Sequence, residues 1–206
     1  MTSERRRLHP RKQPRQARAE LTRQRILTAA AQVFAEHGYA AGTTNRIAER
    51  ARISIGSLYQ YYPNKDAILL ELVSRHLDAG ITATRLSTQA ELPRSIEEIL
   101  RVFVRTAIEN HREDPQLLRV MFEQAPRSPE LLAKIERQER DLVAFARDLL
   151  DQHPEVTVAD TETAARLVVS TVELVVHQQI GAPSPIDLDR LEHELVAMLT
   201  RYLTAG

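Results

Sequence analysis

Cysteine is absent from this 206-residue chain, glycine occurs six times and aromatic residues make up 4%. Without thiols there is no disulfide, no thiolate catalysis, no cysteine-based zinc site and no thiol redox sensing. Scarce glycine and scarce aromatics fit a helical protein. No run approaches the about 20 apolar residues that a membrane span requires, and the arginine-rich start is not followed by the apolar segment of a secretory signal. These absences predict a cytoplasmic protein with no membrane partner. The chain also lacks a glycine-rich phosphate loop, a paired-histidine metal motif and a nucleophile elbow. The histidines stand singly, so no catalytic residue, metal or cofactor is expected.

What is present is charge, and it is segregated. Lys and Arg balance Asp and Glu at 28 each. Residues 1–65 nevertheless hold 13 basic and 4 acidic side chains, a net +9, and the remainder is net −9. A basic end on an acidic body predicts that this end alone meets a polyanion, for which DNA is the natural candidate. The 43% hydrophobic content is enough for a small domain beside a larger one.

Residues 43–65 read as two short helices around a tight corner. Thr43 or Thr44 caps the first, and Ile47, Ala48 and Ala51 form its inner stripe. Ile53 plugs the corner, Ser54 caps a second helix reaching about Tyr61, and Pro63 prevents its continuation. Leu58 and Tyr62 face inward, leaving Ile55, Gly56, Ser57, Tyr59, Gln60 and Tyr61 outward. Such a pair is a helix-turn-helix, whose second helix enters the major groove of double-stranded DNA.

Thr-Thr at the start, Ile-Ala, Ile-Ser after the turn, Gly-Ser-Leu-Tyr-Gln-Tyr-Tyr and Asn-Lys together closely resemble the TetR family of bacterial transcriptional regulators. The resemblance implies DNA-facing positions at Thr44, Asn45, Ile55, Gly56, Ser57, Tyr59, Gln60 and Tyr61, and a phosphate-contacting lysine at Lys65. Gln60 suits bidentate pairing with adenine, Ile55 a thymine methyl, and the tyrosines suit phosphates. Lys65 stands in the first turn of the next helix, where the dipole disfavours its charge, so an external anion accounts for its presence, with an ordinary solvated lysine as the alternative. Arg52 occupies a turn position where the family usually has glycine; a positive φ there costs a non-glycine residue about 1 kcal/mol.

The other elements follow from caps and periodicity. Residues 1–18, with Arg5, Arg6, Arg7, Arg11, Lys12, Arg15 and Arg18, are expected to be a disordered basic arm touching phosphates. A support helix runs from Ala19 to His37 and ends at Gly38. Asn64 caps a helix with the stripe Ile68, Leu69, Leu72, Val73, Leu77 and Ile81, in which Gly80 is a weak point; residues 82–94 read as helix end and loop. Helices then begin near Ser95, at Asp114–Pro115 and at Ser128–Pro129. The most apolar helix occupies residues 160–180, and Pro183 and Pro185 bracket a turn before the last. With no strand alternation, the class is all-α, with 19–65 as the DNA-binding domain and 66–206 as a helical ligand-binding and dimerisation domain.

The last two helices resemble the dimerising pair of the family, and Leu188, Leu191, Leu195, Met198 and Tyr202 recur at alternating three- and four-residue steps. The expected interface joins these to Val168, Val172 and Val175. Polar Arg166, Glu173 and His177, with Phe103, Met121, Phe122 and Phe145, are candidates to line a pocket for a small-molecule effector, although core or interface packing is the favoured reading of any one of them. The resemblance implies a homodimeric repressor released from a pseudo-palindromic operator by its effector. A DNA-binding factor without a ligand, a helical adaptor using its last two helices, and a helical enzyme with an incidental basic arm remain as alternatives.

Overall fold

The computed structural model describes residues 14–89, 93–112, 115–182 and 186–205. Among the described residues there are nine α-helices and no strand, so the chain is all-α. It divides into two compact units, one ending at Ile68 and one starting at Leu69. The asparagine-capped helix expected after the motif is α4 (Lys65–Gln89), and the division falls within it.

In the first unit, α1 (Pro14–Ala41) buries Ile26, Leu27, Ala29, Ala30, Val33 and Phe34. Gly38 breaks it with φ 71°, so residues 39–41 form a separate turn behind the main helix. Gly42 sits directly on Phe34: a Cβ there would lie 2.6 Å from the ring. The helix starts at Pro14 rather than near Ala19, because Gln16, Ala17, Arg18, Ala19 and Glu20 include good helix formers behind a first-turn proline. Residues 14–18 therefore leave the expected arm; Arg5, Arg6, Arg7, Arg11 and Lys12 lie outside the described residues. α2 (Thr44–Arg50) and α3 (Ile55–Tyr59) complete this unit.

The second unit contains the rest of α4, then α5 (Ile96–His111), α6 (Pro115–Gln124), α7 (Pro129–Gln152), α8 (Thr161–Ile180) and α9 (Leu188–Thr204). Side-chain oxygens of Ser95, Ser128, Asp160 and Asp187 cap α5, α7, α8 and α9. The expected opening residue Asp114 and the prolines at 183 and 185 lie outside the described residues. α4 runs unbroken past Gly80 to Gln89, through residues read from sequence as loop. At Gly80 the missing side chain lets Asn110 of α5 approach, since a Cβ would meet its Nδ2 at 3.1 Å.

α5 packs on α9 and α8, and α7 on α8. Val104, Ile108, Val176, Leu191, Leu195, Leu199 and Leu203 are buried here. One charged group joins them: Glu192 on α9 accepts from Arg105 Nη2 at 2.8 Å and Nε at 3.0 Å, with Arg101 at 3.5 Å. Those hydrogen bonds hold its carboxyl below the usual range. Among the described residues, no helix is long and apolar enough to cross a membrane.

Candidate functional site

The Thr43 hydroxyl caps α2 by accepting from the Arg46 N–H, and α2 buries Ile47 and Ala48. The corner follows, with Arg52 at φ 54°, the left-handed conformation that a glycine would adopt without strain. Arg25 of α1 clamps this corner by donating to the carbonyls of Ala51 and Arg52. Arg50 ties α2 to α1 through both oxygens of Glu36, each at 2.6 Å, and this holds Glu36 below the usual carboxylate range.

Ser54 caps α3: its hydroxyl accepts the Ser57 N–H at 3.0 Å and lies 3.0 Å from the Ser57 hydroxyl. α3 is two residues shorter than expected. Tyr61 and Tyr62 still donate to the Leu58 carbonyl, so the last turn tightens into the proline. Leu58 and Tyr62 are buried and anchor this segment from below. Asn45, Ile55, Gly56, Tyr59 and Gln60 are exposed, and Thr44 and Ser57 half-buried. The Tyr59 and Thr44 hydroxyls lie 3.3 Å apart, which brings the start of α2 to the end of α3.

Tyr61 and Lys65, also expected to face DNA, have contacts within the first unit as well. Tyr61 is half-buried and lines a depression with Gln16, Glu20 and Arg23 of α1. Lys65 has local partners: its ammonium donates to the Tyr39 carbonyl at 2.8 Å and lies 4.1 Å from the Tyr39 ring centroid. Carbonyls at the end of α1 thus hold the half-buried Lys65 ammonium in place beside the motif. Arg25 and Glu36, which position the motif, were not singled out, because only the folded contact separates them from an ordinary solvated face.

The second unit holds a cavity of about 110 Å³ lined by α4, α5, α7 and α8. Phe103 and Phe145 meet there edge to face at 5.9 Å, and Glu173 and His177 also line it. Of the other expected pocket residues, Met121 is buried elsewhere, Phe122 is largely exposed beside His177, and Arg166 points to solvent and pairs with Glu162 at 3.0 Å. The sequence reading missed His76, His111 and Gln138. Gln138 Oε1 and His76 Nε2 are buried with no protein hydrogen-bond partner.

His76, His111 and His177, far apart in sequence, meet at this cavity, each offering a nitrogen within 4.8 Å of the others'. Burial, with His177 nearby, pushes His76 down to about 4 and His111 to about 3, so both rings are neutral at pH 7. Burial raises the Glu173 carboxyl, against the pull of His177.

The expected interface residues divide between two faces. Val168 and Val172 line the chain's own cavity, while Leu191 and Leu195 are buried within the unit, where α9 packs chiefly on α5. Val172 is buried as well, and Val168 is half-buried. Val175 and Leu188 are half-buried. Met198 and Tyr202 are 48% and 40% exposed, as are Leu167 and Leu174 of α8 at 49% each.

Two family profiles match this chain. One, described as "Bacterial regulatory proteins, tetR family", matches residues 26–72; the other, "Tetracyclin repressor-like, C-terminal domain", matches 95–203. The chain is similar to the HTH-type transcriptional regulator HbdR of an Aromatoleum species, 37% identical over 38% of this chain and 31% of that protein. It is also similar to the HTH-type transcriptional repressor SCO4008 of Streptomyces coelicolor, 33% identical over 63% of this chain and 65% of the other. It thus spans less than two thirds of either relative. Its fold matches that of FadR from Bacillus subtilis, solved in complex with stearoyl-CoA, with a TM-score of 0.66 and 22% identity over 86% of this chain and 97% of that one. One profile takes in the helix-turn-helix and the other more than half of all residues, and on that basis the chain belongs to the TetR family: it is a DNA-binding transcriptional regulator, not an enzyme.

Proposed function

We propose that this chain is a homodimeric repressor that binds a pseudo-palindromic operator through α3 and leaves it when a small molecule occupies the cavity of the second unit. The observation carrying the reading is α3 itself. It is capped by Ser54 and anchored by Leu58, and it presents Ile55, Gly56, Tyr59 and Gln60 outward. A short helix so fixed on one side and exposed on the other is built to enter and read a groove. Thr44 and Asn45 extend the surface, Ser57 borders it, and Tyr61 and Lys65 complete its proposed phosphate-facing edge.

The dimer is supported by the exposed apolar side chains Leu167, Leu174, Met198 and Tyr202, on the two helices expected to dimerise and including two of the residues expected at the interface. Two half-sites need two copies. The effector is supported by a cavity that combines aromatic walls with two buried, unpartnered polar atoms, since such atoms normally have a partner. The repressor sign agrees with the name of SCO4008, and the existence of a ligand with the stearoyl-CoA complex of FadR. An effector that prefers the conformation unsuited to DNA weakens DNA binding, and DNA weakens the effector by the same factor. α4, which belongs to both units, is the proposed transmitter.

The test is affinity selection of genomic DNA fragments, run in parallel with the parent and a Tyr59→Ala, Gln60→Ala variant. The expected result is a shared inverted repeat recovered by the parent alone. Recovery of the same unrelated fragments by both would overturn sequence-specific reading through α3.

A further inference from the structure

The three histidines of the second unit do more than fill space. They come from three helices, His76 from α4, His111 from α5 and His177 from α8, and each offers a ring nitrogen within 4.8 Å of the others'. His111 Nδ1 lies 2.5 Å from the Ala107 carbonyl, and His177 Nδ1 lies 2.9 Å from the Glu173 carbonyl. A carbonyl oxygen only accepts, so in both rings Nδ1 carries the proton and Nε2 keeps its lone pair. His76 Nε2 is buried without any protein hydrogen-bond partner. Ring packing alone explains the close centroids, 4.0 Å between His111 and His177 and 4.9 Å between His76 and His111. It does not explain why polar nitrogens collect where a buried polar atom without a partner costs about 1–3 kcal/mol.

We propose that His76, His111 and His177 form a binding site for one divalent first-row transition metal, of which zinc is the type. Three imidazole nitrogens suit zinc, cobalt, nickel or copper, whereas calcium and magnesium take oxygen ligands. Tetrahedral zinc at 2.0–2.1 Å from nitrogen sets its ligands about 3.3 Å apart, so the nitrogens, now within 4.8 Å of one another, must draw together by up to about 1.5 Å. Nδ1–H donation to a carbonyl is the arrangement that orients a metal-binding histidine and fixes its tautomer. Glu173, one turn before His177 on α8, lines the same cavity and sets its carboxyl 3.8 Å from His177 Nδ1, on the side of the ring away from Nε2. All three rings line the cavity, which leaves space beside them for a further donor atom from water or a small ligand. This site stands on the geometry of the second unit and is independent of how the chain reads DNA.

The test uses the full chain, stripped with a chelator and dialysed, then titrated with cobalt(II) and zinc(II). The expected result is one cobalt per chain with the intense visible absorption of a tetrahedral nitrogen-ligated ion, displaced by zinc, and a rise in melting temperature with zinc. His177→Gln and His76→Gln are each expected to weaken binding by more than the about 10–100-fold that loss of an outer-shell partner costs. Circular dichroism checks that both variants stay helical. A parent that takes up no stoichiometric cobalt and shows no zinc-induced shift overturns the proposal, whatever the variants do. So does binding undiminished in His177→Gln, which would assign the metal to exposed histidines and carboxylates.

Discussion

Arg52 shows at the level of one residue how a family's usual glycine becomes a measurable strain. Its φ of 54° costs an L-residue roughly 1–2 kcal/mol, and glycine recovers that less its own greater loss of chain entropy. Arg52→Gly is therefore expected to stabilise the chain by about 0.5–1 kcal/mol in denaturant unfolding, since the backbone carbonyl that Arg25 uses is retained. A loss of stability would show that the arginine side chain matters more than the turn. Lys65 and Gln60 divide differently. Replacing Lys65 by Ala should reduce the salt slope of DNA binding by about 1 and weaken all sequences alike, with some stability lost because the Tyr39 carbonyl loses its donor. Replacing Gln60 by Ala should leave stability unchanged and alter sequence preference by about 1–3 kcal/mol. Equal effects of the two on every duplex would contradict this division of labour.

Between elements, one clamp lends itself to a pH measurement. Glu192 on α9 takes two hydrogen bonds from Arg105 of α5, and its folded pKa falls below the ordinary 4.5. A depressed carboxylate contributes stability above its unfolded pKa and loses it as pH falls through the folded one. Glu192→Gln is thus expected to melt below the parent at neutral pH, with the gap closing as pH drops below about 4.5. A gap independent of pH would assign the effect to packing. Helix starts were legible because Ser54, Ser95, Ser128 and Asn64 act on backbone N–H groups only three residues away. Helix faces were less legible. The steps from Leu188 to Tyr202 mix Leu191 and Leu195, which join Leu199 and Leu203 against the core, with Met198 and Tyr202, which point out; which stripe turns inward is set by where α5 lies. The extension of α4 past residue 81 was hidden because Leu86 is exposed and leaves no buried stripe to read. The three histidines were illegible for a related reason: each is a lone polar residue on its own helix, and only packing of α4, α5 and α8 makes them a group.

For the whole molecule, the exposed apolar residues of α8 and α9 and the proposed reading of two half-sites make one claim. A chain carrying both Leu174→Glu and Met198→Glu should keep its helical content, because these side chains are about half exposed within one copy. It should sediment as a monomer and bind an inverted repeat about 100-fold or more weakly, having lost the second contact in place. An unchanged dimer would move the interface elsewhere. The reading as a whole turns on whether DNA is recognised as sequence by a pair of recognition helices. Equilibrium titration of a labelled duplex carrying the selected inverted repeat, beside one with a single half-site scrambled, decides it at one fixed salt concentration. Two copies bound per intact duplex, with affinity falling about 100-fold on scrambling, is the expected result. Equal affinity for both duplexes would mean that the basic end binds only phosphate charge.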